Sequence, residues 1–221
     1  MSTLPEVYQR LFTAFGPQNW WPGETPFEVI VGAVLVQNTS WRNVARVIDR
    51  LKEGDLLHAA TLSALPLEEL EELLRPVGYY RVKARRLRNL LAWFTERFDG
   101  SVEAMFAIGQ AELRRELLSL NGIGPETADS ILLYAGGLPS FVIDAYTFRV
   151  MARHGWIEHG ADYHALKEFF ESRMEPDAAR FNEFHALFVR VGKDFCRKRE
   201  PRCGACPLQD LLPEGGPLEP E

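Results

Sequence analysis

Apolar residues recur along this chain with the period of a helix. Phe27, Ile30, Val31, Val34 and Leu35 fall at i, i+3, i+4, i+7 and i+8, lining one face of an α-helix. Val44, Val47, Ile48 and Leu51 repeat the spacing. So do Leu67, Leu70, Leu73 and Leu74, and then Leu87, Leu90, Leu91 and Phe94. Leu11, Phe12 and Phe15 mark a further amphipathic stretch near the start. Pro22-Gly23, Pro66, Pro76, Asp99-Gly100, Gly136-Gly137 and Gly155 punctuate the pattern where turns belong. Strand alternation is missing, and the β-like run Phe141-Val142-Ile143 is too short to imply a sheet. The expectation is an all-α protein of about ten short helices. Residues 207–221, rich in Pro, Gly and acids, read as a mobile tail.

At 221 residues the chain has room for one or two domains. No apolar run approaches the roughly 20 residues that cross a bilayer, and the first ten residues lack a secretory signal. The expected setting is the cytoplasm, with no membrane partner. The net charge of −6 argues against a nucleic-acid partner when taken whole. Phosphate binding needs only a local basic surface, however. Residues 75–88 hold Arg75, Arg81, Lys83, Arg85, Arg86 and Arg88 and no acid; residues 190–202 hold six cations against two acids.

The segment LLSLNGIGPETADSILLYA, residues 117–135, reads as two helices joined by a tight turn. One helix ends near Leu120. Gly122 and Gly124 flank Ile123, and Pro125 stands at a first helical position, where its missing N–H costs nothing. The second helix packs through Ala128, Ile131, Leu132 and Ala135. Glycines there permit positive φ and let a phosphate approach the free N–H groups of a helix start. The same pattern also suits a plain helix–helix corner. Just beyond, in FVIDAYTFRV, Asp144 opens another helix. Asp is a common N-cap; its distance from the glycine turn raises a second role.

Three cysteines, Cys196, Cys203 and Cys206, are the chain's whole complement. An odd number within eleven residues cannot form a disulfide framework. Cys-x6-Cys-x2-Cys suggests metal or cluster ligation.

Together these segments resemble the helix-hairpin-helix DNA glycosylase superfamily, the endonuclease III group. LNGIGPETAD is similar to that family's hairpin, FVIDAYTFRV to its catalytic-aspartate segment, and FHALFVRVGKDFCRKREPRCGACPL to its iron–sulfur loop. FEVIVGAVLVQNTSWRNV is similar to its first long helix. WWPGETPFEVIVGAVLVQNTSW and GIGPETADSIL most resemble the 3-methyladenine DNA glycosylase III branch. The resemblance implies an all-α, two-domain fold with a DNA cleft between the domains: residues 26–138 ending in the hairpin, and residues 1–25 with 139–221 carrying Asp144 and the cysteine loop. It implies base excision from double-stranded DNA containing a damaged base or abasic site, by a monomer near the nucleoid. Trp20, with Trp21 beside it, and Trp41 would sandwich the extruded base. Gln37 would fill the vacated stack and Tyr79 would wedge from the opposite side. Gly122, Gly124 and Thr127 would hold phosphate, as would Arg197, Lys198, Arg199 and Arg202 on the loop.

Two departures shape the expectation. Bifunctional relatives carry a lysine after the hairpin turn that forms a Schiff base; here that position is Glu126. Neither Lys83 nor Lys167 fits the role. A monofunctional hydrolase is expected, acting on an alkylated purine such as 3-methyladenine. A positively charged methylated base leaves readily, so one carboxylate, Asp144, suffices. The family's 4Fe–4S pattern ends in a fourth cysteine, but Leu212 stands there. Asp210 is a candidate oxygen ligand; zinc and an empty loop are the other possibilities. Oxidised pyrimidine or mismatch specificity is the alternative activity. A catalytically inert DNA-structure-binding protein is the alternative of another class.

Overall fold

The computed structural model describes residues 3–158 and 160–218, so residues 219–221 of the expected tail lie outside it. Among the described residues there are twelve α-helices and no strand. They are α1 (Leu4–Phe15), α2 (Pro26–Leu35), α3 (Trp41–Glu53), α4 (Ala59–Ala64), α5 (Leu67–Leu74), α6 (Tyr80–Phe98) and α7 (Val102–Ala107). Then follow α8 (Gln110–Ser119), α9 (Pro125–Ser130), α10 (Ala145–Arg153), α11 (Tyr163–Glu171) and α12 (Ala178–Asp194). The count exceeds the expected ten partly because α4 and α7 span six residues each, too short to show a repeating 3.6-residue period. The chain divides into two compact units, Pro22–Leu138 and Met1–Trp21 with Pro139–Glu221.

In the first unit α2 is the central element, with every residue from Glu28 to Leu35 buried. Its near-continuous apolar run suits a helix enclosed on all sides. Val44, Val47, Ile48 and Leu51 from α3 pack on it, with Leu87, Leu90, Leu91 and Phe94 from α6. The unit starts at Pro22 rather than at residue 26 because residues 24 and 25 are tied to α2. The Thr25 hydroxyl caps the helix, and the Glu24 N–H donates to buried Glu28 at 3.2 Å. Glu28 pairs with Lys52 at 2.9 Å. Beyond α9 the helix loosens into a π turn, Ile131–Ala135, before Gly136 ends it.

The second unit is built on aromatic rings. Phe141 stacks on Phe170 at 4.0 Å between centroids, and Phe181, Phe184 and Phe188 close round them edge-on. Phe141-Val142-Ile143 is extended and buried, yet it pairs with no strand. Side chains satisfy its backbone instead: the Phe141 N–H donates to Glu171 at 2.8 Å and the Ile143 N–H to the Tyr163 hydroxyl at 3.5 Å. Asp144, Asp162 and Asp177 cap α10, α11 and α12 through side-chain oxygens. Residues 207–218 are docked rather than detached. Leu208 is fully buried, and the Leu218 N–H donates to the Arg153 carbonyl at 2.9 Å.

Candidate functional site

In the first unit the expected phosphate residues converge on one corner. Ile123 buries between α8 and α9 and closes the turn, with its N–H on the Leu120 carbonyl at 3.1 Å. The two glycines serve different ends. Gly122 has φ +98°, and a Cβ there would meet Arg86 Cγ at 2.2 Å, so both backbone and neighbour demand glycine. Gly124 is extended, and a Cβ there would meet nothing within 4 Å; the start of α9 is open on that side. Gln37, just beyond α2, ties this corner together. Its amide donates to the Gly122 carbonyl at 3.0 Å and to the Thr127 hydroxyl at 2.9 Å, and its Oε1 accepts from Arg86. Gln37, Gly122 and Thr127 are thus brought into direct contact, and Arg86 joins them from α6. Glu126 is exposed in the first turn of α9. Across the hairpin Arg114 holds the buried Asp129 carboxylate in a two-pronged pair, at 2.8 and 3.0 Å.

Tyr79 stands apart from any packing duty. It caps α6 in left-handed backbone, φ 47°, with 76% of its surface exposed. Such a conformation is costly for a bulky residue. Trp41 begins α3 and lies half-buried against the core of its unit.

Neither buried lysine presents a free amine. Lys83 is 2% exposed and donates to the Val77 carbonyl at 2.7 Å. Burial, with help from the Arg86 charge, pushes its pKa down to about 8. Lys167, in the second unit, is paired with Glu171 and donates to Ser140 Oγ at 2.7 Å.

The second unit carries Asp144. One carboxylate oxygen accepts from the Thr147 N–H at 2.7 Å and the Thr147 hydroxyl at 2.9 Å. The other faces His185 Nε2 at 3.6 Å, and 13% of the side chain stays exposed. Burial alone would raise the pKa of Asp144. The nearby His185, then the two Thr147 bonds, outweigh burial and hold it below the ordinary aspartate value. His185 was not expected from the sequence; the only available signal was a polar residue on the apolar face that Phe181, Phe184 and Phe188 give α12. Gly192 lets α10 and α12 approach, since a Cβ there would meet the Tyr146 ring at 2.4 Å. Trp20 and Trp21 meet edge-on at 5.9 Å, and Lys193 lies 5.4 Å over the Trp20 ring.

Two arginines one turn apart on α10 grip the cysteine loop. Arg149 donates to the carbonyls of Cys196 and Gly192 at 2.6 and 3.0 Å. Buried Arg153 donates to the Arg197 carbonyl at 2.6 Å and reaches Cys196 Sγ at 3.5 Å. These carbonyl bonds leave the side chains of Arg197, Lys198, Arg199 and Arg202 exposed. Cys196, Cys203 and Cys206 line one open pocket, with Leu212 and His154 among its other walls. Burial pushes the Cys206 thiol up, and the nearby Cys196 and Cys203 add to the shift. Among the described residues no three His, Cys, Asp or Glu side chains converge on a single-ion site, as tetrahedral zinc would require. Asp210 does not join the cysteines. Its carboxylate is 82% exposed and pairs with Arg10 at 3.6 Å, and it is not a wall of the pocket.

These features define a class, the all-α helix-hairpin-helix fold with an aspartate capping a helix beyond the hairpin. Known proteins agree. Residues 31–176 match the family model described as HhH-GPD superfamily base excision DNA repair protein. The provisionally named DNA repair glycosylase MJ1434 of Methanocaldococcus jannaschii is 46% identical over 208 residues, covering 93% of this chain and 94% of that protein. Endonuclease III of Bacillus subtilis is 27% identical over 190 residues, covering 86% and 82%. A non-covalent endonuclease III–DNA complex superposes with a TM-score of 0.83 at 26% identity, covering 97% of each chain. The H. pylori 3-methyladenine DNA glycosylase bound to 1,N6-ethenoadenine gives a TM-score of 0.72 at 30% identity, covering 84% of this chain and 95% of that one. The chain belongs to the HhH-GPD superfamily of base excision DNA repair proteins, and within it to the endonuclease III-like DNA glycosylases. No described helix is long and apolar enough to cross a membrane.

Proposed function

We propose that the chain is a monofunctional DNA glycosylase that hydrolyses the N-glycosidic bond of an alkylated purine, with 3-methyladenine in double-stranded DNA as its substrate. The observation that carries this reading is a partly exposed carboxylate, Asp144, held in its charged form by His185 and Thr147. As the glycosidic C1′–N bond breaks, its electron pair leaves with the base and C1′ gains oxocarbenium character. Asp144 stabilises that positive charge and takes a proton from the water that adds to C1′. A methylated purine cation departs as a neutral base, so no separate acid is required. Trp20, Trp21 and Trp41 offer the electron-rich faces that a cationic base favours.

The phosphate backbone is taken by Gly122, Gly124 and Thr127, with Gln37 bonded to two of them and entering the vacated stack. Exposed Tyr79 wedges the duplex. Tyr79→Gly relieves the left-handed backbone and removes the wedge. Base release is expected to fall roughly tenfold, about 1.4 kcal/mol, with Tm held within about 3 °C. A large drop in Tm would instead make Tyr79 a structural residue.

The cysteine loop fits a 4Fe–4S cluster held by Cys196, Cys203 and Cys206, with a fourth ligand from elsewhere. When bound, the cluster supplies a cross-link for the loop and no bond-making chemistry. The loop then presents Arg197, Lys198, Arg199 and Arg202 to phosphates.

Glu126 cannot form an imine, and the engaged lysines support the monofunctional reading. The test is incubation with methylated duplex DNA, following free 3-methyladenine, with borohydride added in parallel. Base release without a trapped adduct is expected. Strand scission or a trapped adduct overturns the monofunctional assignment, and Lys83, with its lowered pKa, is the first amine to map. Release of oxidised pyrimidines alone overturns the substrate class. Tight binding to abasic DNA with no base released from any lesion overturns catalysis itself.

A further inference from the structure

We propose that Arg86 grips a backbone phosphate of lesion-containing duplex DNA, and that Gln37 masks it until the damaged nucleotide has left the stack. This inference rests on the reading of Gln37 as the residue that enters the vacated stack. Residues 75–88 hold six cations and no acid. Several of them are engaged away from the hairpin: Arg81 pairs with Glu71 at 3.6 Å, Lys83 donates to the Val77 carbonyl, and Arg88 donates to the Leu65 carbonyl. Arg86 instead reaches the glycine turn.

The side chain is held there without an acid. Arg86 is half-buried. Its stem lies so close to Gly122 that a Cβ on the glycine would meet Arg86 Cγ at 2.2 Å. Three residues further along α6, Asn89 donates to the Asn121 carbonyl at 3.1 Å and fastens the helix to the turn. A guanidinium carries five donors. This one donates to Gln37 Oε1, and among the described residues no carboxylate pairs with it. A neutral amide oxygen leaves its charge uncompensated. The charge is felt nearby, since burial and then Arg86 push the Lys83 pKa down to about 8. Phosphate offers what the amide lacks: a negative charge, and paired oxygens that match the planar fork of an arginine.

Gln37 is fully committed in this arrangement. An amide has two N–H donors. One goes to the Gly122 carbonyl at 3.0 Å and the other to the Thr127 hydroxyl at 2.9 Å, while Oε1 accepts from Arg86. To enter a base stack, the side chain gives up all three bonds. Arg86 then loses its acceptor beside a turn where a Cβ on Gly124 would meet nothing within 4 Å. A phosphate arriving on that open side replaces the amide oxygen with a charged one.

The consequence is a coupling between nucleotide extrusion and the hold on the backbone. Undamaged DNA is bound without Arg86, and DNA with an extruded or missing base is bound with it.

Salt-dependent binding provides the test. The full-length chain is titrated with a duplex carrying a tetrahydrofuran abasic-site analogue and with the matching undamaged duplex, across a salt series, with a melting curve for each variant. Each phosphate contact contributes about −0.9 to the slope of log K against log salt concentration. The unmodified chain should give the steeper slope on the abasic duplex. Arg86→Gln should flatten that slope by about 0.9 and leave the slope on undamaged DNA unchanged, and Arg86→Lys should keep it steep. Gln37→Ala should steepen the slope on undamaged DNA by about 0.9, and Arg86→Gln added to it should cancel the change. A chain that binds neither duplex overturns the glycosylase reading on which the inference stands. Abasic-site binding whose slope ignores Arg86→Gln overturns the phosphate contact while that reading survives. Equal flattening on both duplexes overturns the masking by Gln37. If Arg86→Gln fails to fold, Gln37→Ala still decides: an unchanged slope on undamaged DNA overturns the proposal.

Discussion

Asp144→Asn is expected to slow base release by about 10³-fold, roughly 4 kcal/mol, while Tm stays within about 3 °C. Asparagine retains an oxygen for the Thr147 N–H and hydroxyl, so α10 keeps its cap. What it loses is the negative charge facing His185 and the developing cation at C1′. Single-turnover kinetics on methylated DNA, with a melting curve, separates the two effects. A variant that retains full activity would remove Asp144 from the chemistry.

The acid side of the pH profile follows from the same geometry. Because the pKa of Asp144 is held below the ordinary aspartate value by His185 and Thr147, the group remains charged throughout mildly acidic solution. Its contribution to stability is fully present above the unfolded value and is lost as pH falls through the lower, folded one. Base release should therefore show no carboxylate limb between about pH 7 and pH 5. A limb near the ordinary aspartate value or above would mean that burial, not His185 and Thr147, governs the group.

The second large effect is structural. Asp129 is wholly buried, and Arg114 meets both of its oxygens. Removing one partner of such a pair strands a charge without water, which costs about 3 kcal/mol or more. Arg114→Met is thus expected to lower Tm by roughly 6–12 °C and to weaken DNA binding with it, because the pair joins the two helices of the hairpin. Adding Asp129→Leu should recover part of the loss, since an apolar pair of similar volume leaves no charge behind. An unchanged melting temperature in the single variant would show that the hairpin does not depend on this clamp.

Longer helices such as α2, α3, α5 and α6 were legible because each exposes the 3.6-residue repeat over two or more turns. The hairpin was legible because glycine and proline punctuate it within four residues. Asp144 announced itself as a cap. Less accessible were features made by residues far apart in the chain. His185 is 41 positions from Asp144, as the numbering shows, and Arg153 is 44 from the carbonyl of Arg197 that it holds. No periodicity encodes such meetings. Asp210 illustrates the converse. Its nearness to the cysteines in sequence suggested a ligand, but the 3₁₀ turn Gln209–Leu211 carries its carboxylate outward to Arg10. Phe141-Val142-Ile143 looked like a strand fragment because buried extended backbone has the same composition, whatever satisfies its N–H groups.

Helices α10 and α12 run in the same sense, since Asp144 meets His185, Arg149 meets Gly192, and Arg153 meets Arg197 in order along both. The pair behaves as a strut loaded at both ends, with the Asp144 carboxylate at one and the cysteine loop at the other. A methyl group added at Gly192, midway along, would pry the two rods apart. Such a change alters neither the carboxylate nor a cysteine, yet it would register as a fault at both ends.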